Sequence, residues 1–175
     1  MLKRRLIFLK QNLFVIKRRM WLLITLHKYS NNNAVSADLM PGQLQEKGLA
    51  NALEQLMDSI NLMGIIKVQY TNTLPPVPFE RRIHIYRLIQ EITNNTIKHA
   101  AANTLIVDLK GNKKKLLLDI GDDGNGFDKH NGIVQRKGLG LTHIIRRVEM
   151  LGGKLYLETA PGKGTHYLIE IPNKL

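Results

Sequence analysis

After Pro41 the apolar residues Leu49, Ala52, Leu53, Leu56, Met57, Ile60 and Met63 recur at helical spacing, and Gly64 stands where such a helix would stop. Residues 65–71 (IIKVQYT) read as a strand. Pro75, Pro76 and Pro78 then form a stiff connector that cannot be helix interior. A long helix is predicted from about Phe79 to Ala101, with Ile85, Leu88, Ile89 and Ile92 as its apolar stripe. The period then changes. Thr104–Leu109 and Lys114–Ile120 are short strand-like runs joined through Gly111-Asn112 and a lysine-rich turn, a hairpin signal. Leu141, Ile144, Ile145, Val148 and Leu151 return to helical spacing and stop at Gly152-Gly153. Lys154–Thr159 and Thr165–Ile171 alternate as two more strands. This order predicts an α/β (α+β) two-layer sandwich, with helices packed on one face of a mixed, mostly antiparallel sheet.

At 175 residues the chain has room for one ordinary domain. Its 43% hydrophobic content is that of a globular protein rather than a disordered or low-complexity one. Without cysteine there is no disulfide scaffold, thiolate zinc site or cysteine nucleophile, and a reducing, cytoplasmic setting is expected.

The net charge of +12 is unevenly spread. Eight of the 26 Lys and Arg, and none of the 14 acids, lie in residues 1–28. The polar stretch 29–37 separates this arm from the body, so residues 1–36 are expected to form a basic N-terminal arm or linker helix, and residues 37–175 the domain. The longest uncharged run of the arm, Met20–Leu26, falls far short of the roughly 20 apolar residues a membrane span needs. A basic amphipathic helix on anionic lipid or nucleic acid is one reading of the arm. A linker helix with solvated charges is the preferred one, and nucleic acid is not an expected partner.

Along one edge of the long helix fall Glu91, Asn95 and Lys98. A carboxylate can accept a proton, an amide oxygen can ligate a hard cation such as magnesium, and an ammonium can meet a phosphate. Taken alone, the same pattern also describes a salt-bridged, solvated helix face. Asp122-Asp123-Gly124-Asn125-Gly126-Phe127 follows the strand that ends near Ile120. Its glycines let backbone approach a ligand, and a carboxylate held there could accept a hydrogen bond from an exocyclic amine such as that of adenine. Calcium fits less well, because the spacing lacks the further oxygen ligands of an EF-hand, and a plain acidic turn is the simplest alternative.

Gly138-Leu139-Gly140-Leu141 opens the next helix, whose free amides would favour phosphate oxygens. It is no dinucleotide fingerprint, since His143 stands where a third glycine belongs. Nor is Gly162-Lys163-Gly164-Thr165 a P-loop, because Gly164 separates the lysine from the threonine.

Taken together, EITNNTIKHA, DIGDDGNGFD, KGLGLTHIIRRVEMLGG and PGKGTHYLIEIP, in this order and spacing, closely resemble the ATP-binding catalytic domain of sensor histidine kinases. These belong to the gyrase, heat-shock chaperone, histidine kinase and mismatch-repair superfamily. The resemblance covers about Asp38 to Pro172. The lead-in DLMPGQLQEKGLANALEQL is similar to the corresponding stretch in the subfamily of nitrate-responsive and lipid-fluidity sensors. The resemblance implies ATP and Mg2+ as cofactors. It makes Asn95 the magnesium ligand and Glu91 the catalytic base or water-orienting group, with Lys98 and His99 on the phosphate side. It also implies that Asp122 reads the adenine amine, supported by Gly124 and Gly126, that Gly138, Leu139, Gly140 and Leu141 form the lid hinge and ATP-binding turn, and that Thr165 lines the adenine end.

Such a domain transfers the γ-phosphoryl group to a histidine on a dimerisation helix, within a homodimeric kinase that serves a response regulator in a two-component system. The only histidine upstream is His27, which has no neighbouring acid and lies close to the lead-in, so it is not read as the acceptor. The expected acceptor is therefore on a partner or missing helix. A stand-alone serine kinase of the anti-sigma type, and a vestigial ATP-binding module attached to membrane or nucleic acid through the basic arm, are the alternatives.

Overall fold

The computed structural model describes residues 42–128 and 139–173. The expected arm at residues 1–36 and Gly138 of the lid hinge lie outside the described residues. Helix α1 (Gly42–Leu62) is two helical pieces joined at Gly48, whose φ of 81 interrupts the helix between the buried Leu44 and Leu49. It ends at the predicted glycine, where the Gly64 N–H bonds Asn61 O at 3.0 Å. Strand β1 (Lys67–Thr73) starts two residues later than the pattern predicts, because its register is set by pairing rather than by its own apolar residues. Helix α2 (Phe79–Asn95) continues into a π-helical turn (Thr96–Ala100). Strands β2 (Thr104–Gly111) and β3 (Lys115–Asp122), helix α3 (Leu139–Met150), and strands β4 (Lys154–Thr159) and β5 (Thr165–Pro172) complete the domain.

The five strands form one sheet in the order β1-β2-β3-β5-β4. Only β1 and β2 pair in parallel; the other three pairings are antiparallel, so the expected mixed sheet is the observed one. A parallel pair needs a crossover, and α2 supplies it. That topology returns the end of α2 to the sheet edge where β2 begins and where β3, coming back along its hairpin, ends at Asp122. Site-bearing segments distant in sequence thus meet at one end of the sheet.

One face of the sheet is dry. Leu105, Val107 and Leu109 of β2, Leu116, Leu118 and Ile120 of β3, and Ile169 and Ile171 of β5 alternate inward with no exposed surface. They meet Ile85, Leu88, Ile89 and Ile92, the predicted stripe of α2, also fully buried. Each such side chain contributes about 1.5–3 kcal/mol relative to exposure. The opposite face carries polar and exposed residues, including Ile106, Tyr156 and the Asp119–His166 pair at 2.6 Å. Arg81, at the start of α2, donates to Leu151 O at 2.5 Å and to Pro172 O, joining that helix to the ends of α3 and β5. At the hairpin, Asn112 Oδ1 accepts from Lys114 and Lys115 N–H at 2.8 and 3.0 Å, so the lysine-rich turn is shaped by an asparagine. Among the described residues no helix is long and apolar enough to cross a membrane.

Candidate functional site

Glu91 and Asn95 lie one turn apart on α2, half-buried beside its core stripe. Gly140, in the first turn of α3, packs directly on both. A Cβ there would come within 2.7 Å of Asn95 Oδ1, 2.8 Å of Asn95 Nδ2 and 2.8 Å of Glu91 Oε1. With no Cβ in the way, the two side-chain ends can close on the helix, which sets the amides at the start of α3 near an amide oxygen and a carboxylate. Leu139 opens α3, and Leu141 packs half-buried against the core, holding the helix start down.

The other half of the site is the end of β3. Asp122 Oδ1 accepts from Gly124 N–H at 2.9 Å, and Asp122 Oδ2 accepts from the Thr96 hydroxyl at 3.0 Å. The loop that follows is pinned from below. Asn125 N–H donates to Ala100 O at 2.7 Å, and a Cβ on Gly124 would collide with that same carbonyl. Gly126 is wedged similarly against Ala160 O. Thr165 is the register partner of Asp122 across β3 and β5, and is 6% exposed. Before it, Gly164 adopts φ +70, where a Cβ would strike Asp122 O. Both the conformation and the contact require glycine, and they bring the β4–β5 turn against the aspartate.

The two neighbouring aspartates divide their work. Asp123 Oδ1 accepts from Asn103 and Thr104 N–H at 2.7 and 2.8 Å, closing the start of β2. The backbone bond from Thr104 is the largest influence holding its carboxyl below the usual range. Asp123 is therefore a structural cap, whereas Asp122 faces the junction. Lys98 is half-buried and His99 exposed on the π-helical turn.

Three residues were not singled out by sequence. Thr96 sits beside Asn95 in the chain but turns to Asp122 instead of Gly140. Thr159 Oγ accepts from Phe127 N–H at 3.1 Å, donates to Gly164 O at 2.9 Å and lies 3.4 Å from Thr165 Oγ. Tyr167 is 5% exposed, and burial raises its phenol pKa, with the carboxylates of Asp122 and Glu91 adding to the effect. The influence of both acids on one phenol ties together two halves of the site that are far apart in sequence. A threonine next to the asparagine was the only sequence signal for Thr96, and strand alternation marked Tyr167 simply as core.

Residues 80–175 match the family described as histidine kinase-, DNA gyrase B-, and HSP90-like ATPase. The chain is 32% identical over 136 residues to the sensor histidine kinase ComP of Bacillus subtilis, an alignment covering 77% of this chain and 18% of ComP. It is 33% identical over 144 residues to an uncharacterized sensor-like histidine kinase of Chloroflexus aurantiacus, covering 77% and 24%. The chain thus spans only a minor part of either relative. Among solved structures, the blue-light activated histidine kinase of Erythrobacter litoralis superposes with a TM-score of 0.59 at 27% identity, over 71% of this chain and 42% of that one. The ATP binding domain of PrrB from Mycobacterium tuberculosis shares the fold, with a TM-score of 0.54 at 17% identity over 71% of this chain and 93% of that one. Matched over more than half its length, and built around the same ordered motifs, the chain belongs to the histidine kinase-, DNA gyrase B- and HSP90-like ATPase family as the ATPase-type domain of a sensor histidine kinase.

Proposed function

We propose that this domain binds ATP together with Mg2+ where α2, the end of β3 and the start of α3 meet, and that it presents the γ-phosphoryl group to a histidine on a dimerisation helix. The observation that carries this reading is the packing of Gly140 on Asn95 and Glu91, at 2.7–2.8 Å from the position a Cβ would take. It gathers an amide oxygen, a carboxylate and helix-start amides at one point, the set that phosphoryl transfer requires for positioning and charge neutralisation. Asn95 Oδ1 is a hard oxygen donor suited to Mg2+, which usually takes few protein ligands and leaves the remainder to phosphate and water. When bound, the cation neutralises phosphate charge.

The chain's own residues do the rest. The Asp122 carboxylate accepts from the adenine amine, with Thr165 beside it, while Gly124 and Gly126 let the loop fold close. Amides of Gly138, Leu139, Gly140 and Leu141 receive phosphate oxygens, with Lys98 adding positive charge and His99 a ring N–H on that side. Glu91 takes the proton of, or orients, the attacking group. This reading implies a homodimeric kinase, an acceptor histidine, a downstream response regulator and a cytoplasmic catalytic domain. The serine-kinase alternative is not favoured, because the relatives described above are a sensor histidine kinase and a sensor-like histidine kinase.

Titration of Mg-ATP by calorimetry into wild type and Asn95→Ala, followed by phosphotransfer to a separately supplied acceptor helix, tests the proposal. Magnesium-dependent binding lost in Asn95→Ala, with label appearing on the acceptor histidine, is the expected result. A folded protein that ignores Mg-ATP would instead mark a vestigial module.

A further inference from the structure

We infer that Thr96 is a positioning residue for base recognition, holding the Asp122 carboxylate in the one orientation that meets an exocyclic amine. The inference rests on the proposed reading of Asp122. Thr96 is 3% exposed, and its hydroxyl donates to Asp122 Oδ2 at 3.0 Å. The other oxygen, Oδ1, takes the Gly124 N–H at 2.9 Å. With one protein donor on each oxygen the carboxylate cannot rotate freely, and each oxygen keeps a lone pair for a ligand. A carboxylate left with Gly124 alone could swing about its Cβ–Cγ bond.

The helix makes this possible. Consecutive residues on α2 point about 100° apart. Asn95 therefore meets Gly140 on the phosphate side while Thr96 reaches β3 on the base side. The π-helical turn that Thr96 opens also offers Ala100 O to Asn125 N–H at 2.7 Å, so one turn of backbone fixes the acidic loop at both ends. The two halves of the site are set by neighbouring side chains of one helix.

The test compares binding of ATP with that of purine riboside triphosphate, which lacks the exocyclic amine, to wild type, Thr96→Val, Thr96→Ala and Thr96→Ser. Valine keeps the shape and removes the donor; serine keeps the donor. Thr96→Val and Thr96→Ala are expected to bind ATP about tenfold more weakly, as for loss of a bond to a charged group. Their affinity for the amine-free nucleotide should stay near the wild-type value, with Thr96→Ser close to wild type for both. Using the ratio of the two affinities removes any general loss of folded protein, and alanine serves where valine does not fold. Equal weakening towards both nucleotides, or no change towards either, overturns the inference. If wild type binds both nucleotides equally well, the amine reading of Asp122 fails and takes this inference with it.

Discussion

Gly140 rests on Asn95 so closely that the first carbon of any side chain would lie 2.7 Å from the amide oxygen. The start of α3 is thereby tied to the polar edge of α2. Gly140→Ala must turn the ends of the half-buried Asn95 and Glu91 side chains away from the positions that glycine allows them. Mg-ATP affinity should fall by at least tenfold while the melting temperature drops only slightly, as calorimetry and thermal denaturation on the same samples would reveal. Unchanged affinity would mean that this contact does not shape the site.

Neighbouring aspartates should behave in opposite ways. Asp122→Asn is expected to weaken ATP binding with little effect on stability, since the asparagine oxygen can still accept from one of its two donors. Asp123→Ala strands the Asn103 and Thr104 N–H groups near the surface and should cost about 1 kcal/mol of stability, with ATP affinity retained. Because its folded carboxyl is held below the usual range, the Asp123 contribution is fully present above that range and is lost as pH falls from there through the lowered folded value. Urea unfolding of wild type and Asp123→Ala between pH 3 and pH 7 should converge at the acidic end.

Glu91→Gln keeps the size and hydrogen-bonding capacity of the residue that packs on Gly140 but removes its basicity. Nucleotide affinity should remain within about threefold, while phosphotransfer to a supplied acceptor helix falls by roughly a hundredfold or more, the usual worth of a positioned base. A rate left intact in Glu91→Gln would assign the proton elsewhere.

Ala101 ends the π-helical turn at φ 50, a left-handed conformation that costs a residue with a Cβ roughly 1–2 kcal/mol. Ala101→Gly relieves that cost and loses part of the gain to the greater freedom of the unfolded chain. A net rise in stability of about 0.5–1 kcal/mol is expected by denaturant unfolding.

Burial pushes the Tyr70 phenol up to about 12, with Glu54 adding to the effect, and it raises Tyr167 as well. The folded protein therefore keeps protons that the unfolded chain releases near pH 10. Stability should be intact below about pH 10 and decline as pH rises towards 12. Tyr70→Phe should show a shallower alkaline decline than wild type in unfolding curves collected from pH 8 to pH 11.5.

Periodicity alone determined a great deal. The stripe Ile85, Leu88, Ile89, Ile92 and the alternation along β4 and β5 matched the observed burial pattern, because one-sided contact with a core imposes a period of 3.6 on a helix and 2 on a strand. Family motifs marked Glu91 and Asn95 on a helix, and Asp122 and Gly140 beside glycine-rich turns, as candidate site residues, since such motifs are short runs of local sequence. The resemblance already chose Asp122 over Asp123; only the tertiary structure showed that Asp123 instead closes the start of β2, through the Asn103 and Thr104 N–H groups. It alone also joined Thr96 to Asp122, 26 positions away, and Gly140 to Asn95. The first of these relationships comes from the parallel pairing of β1 with β2. That pairing folds the end of α2 back over the end of β3, and it is a long-range choice that no local pattern of residues encodes.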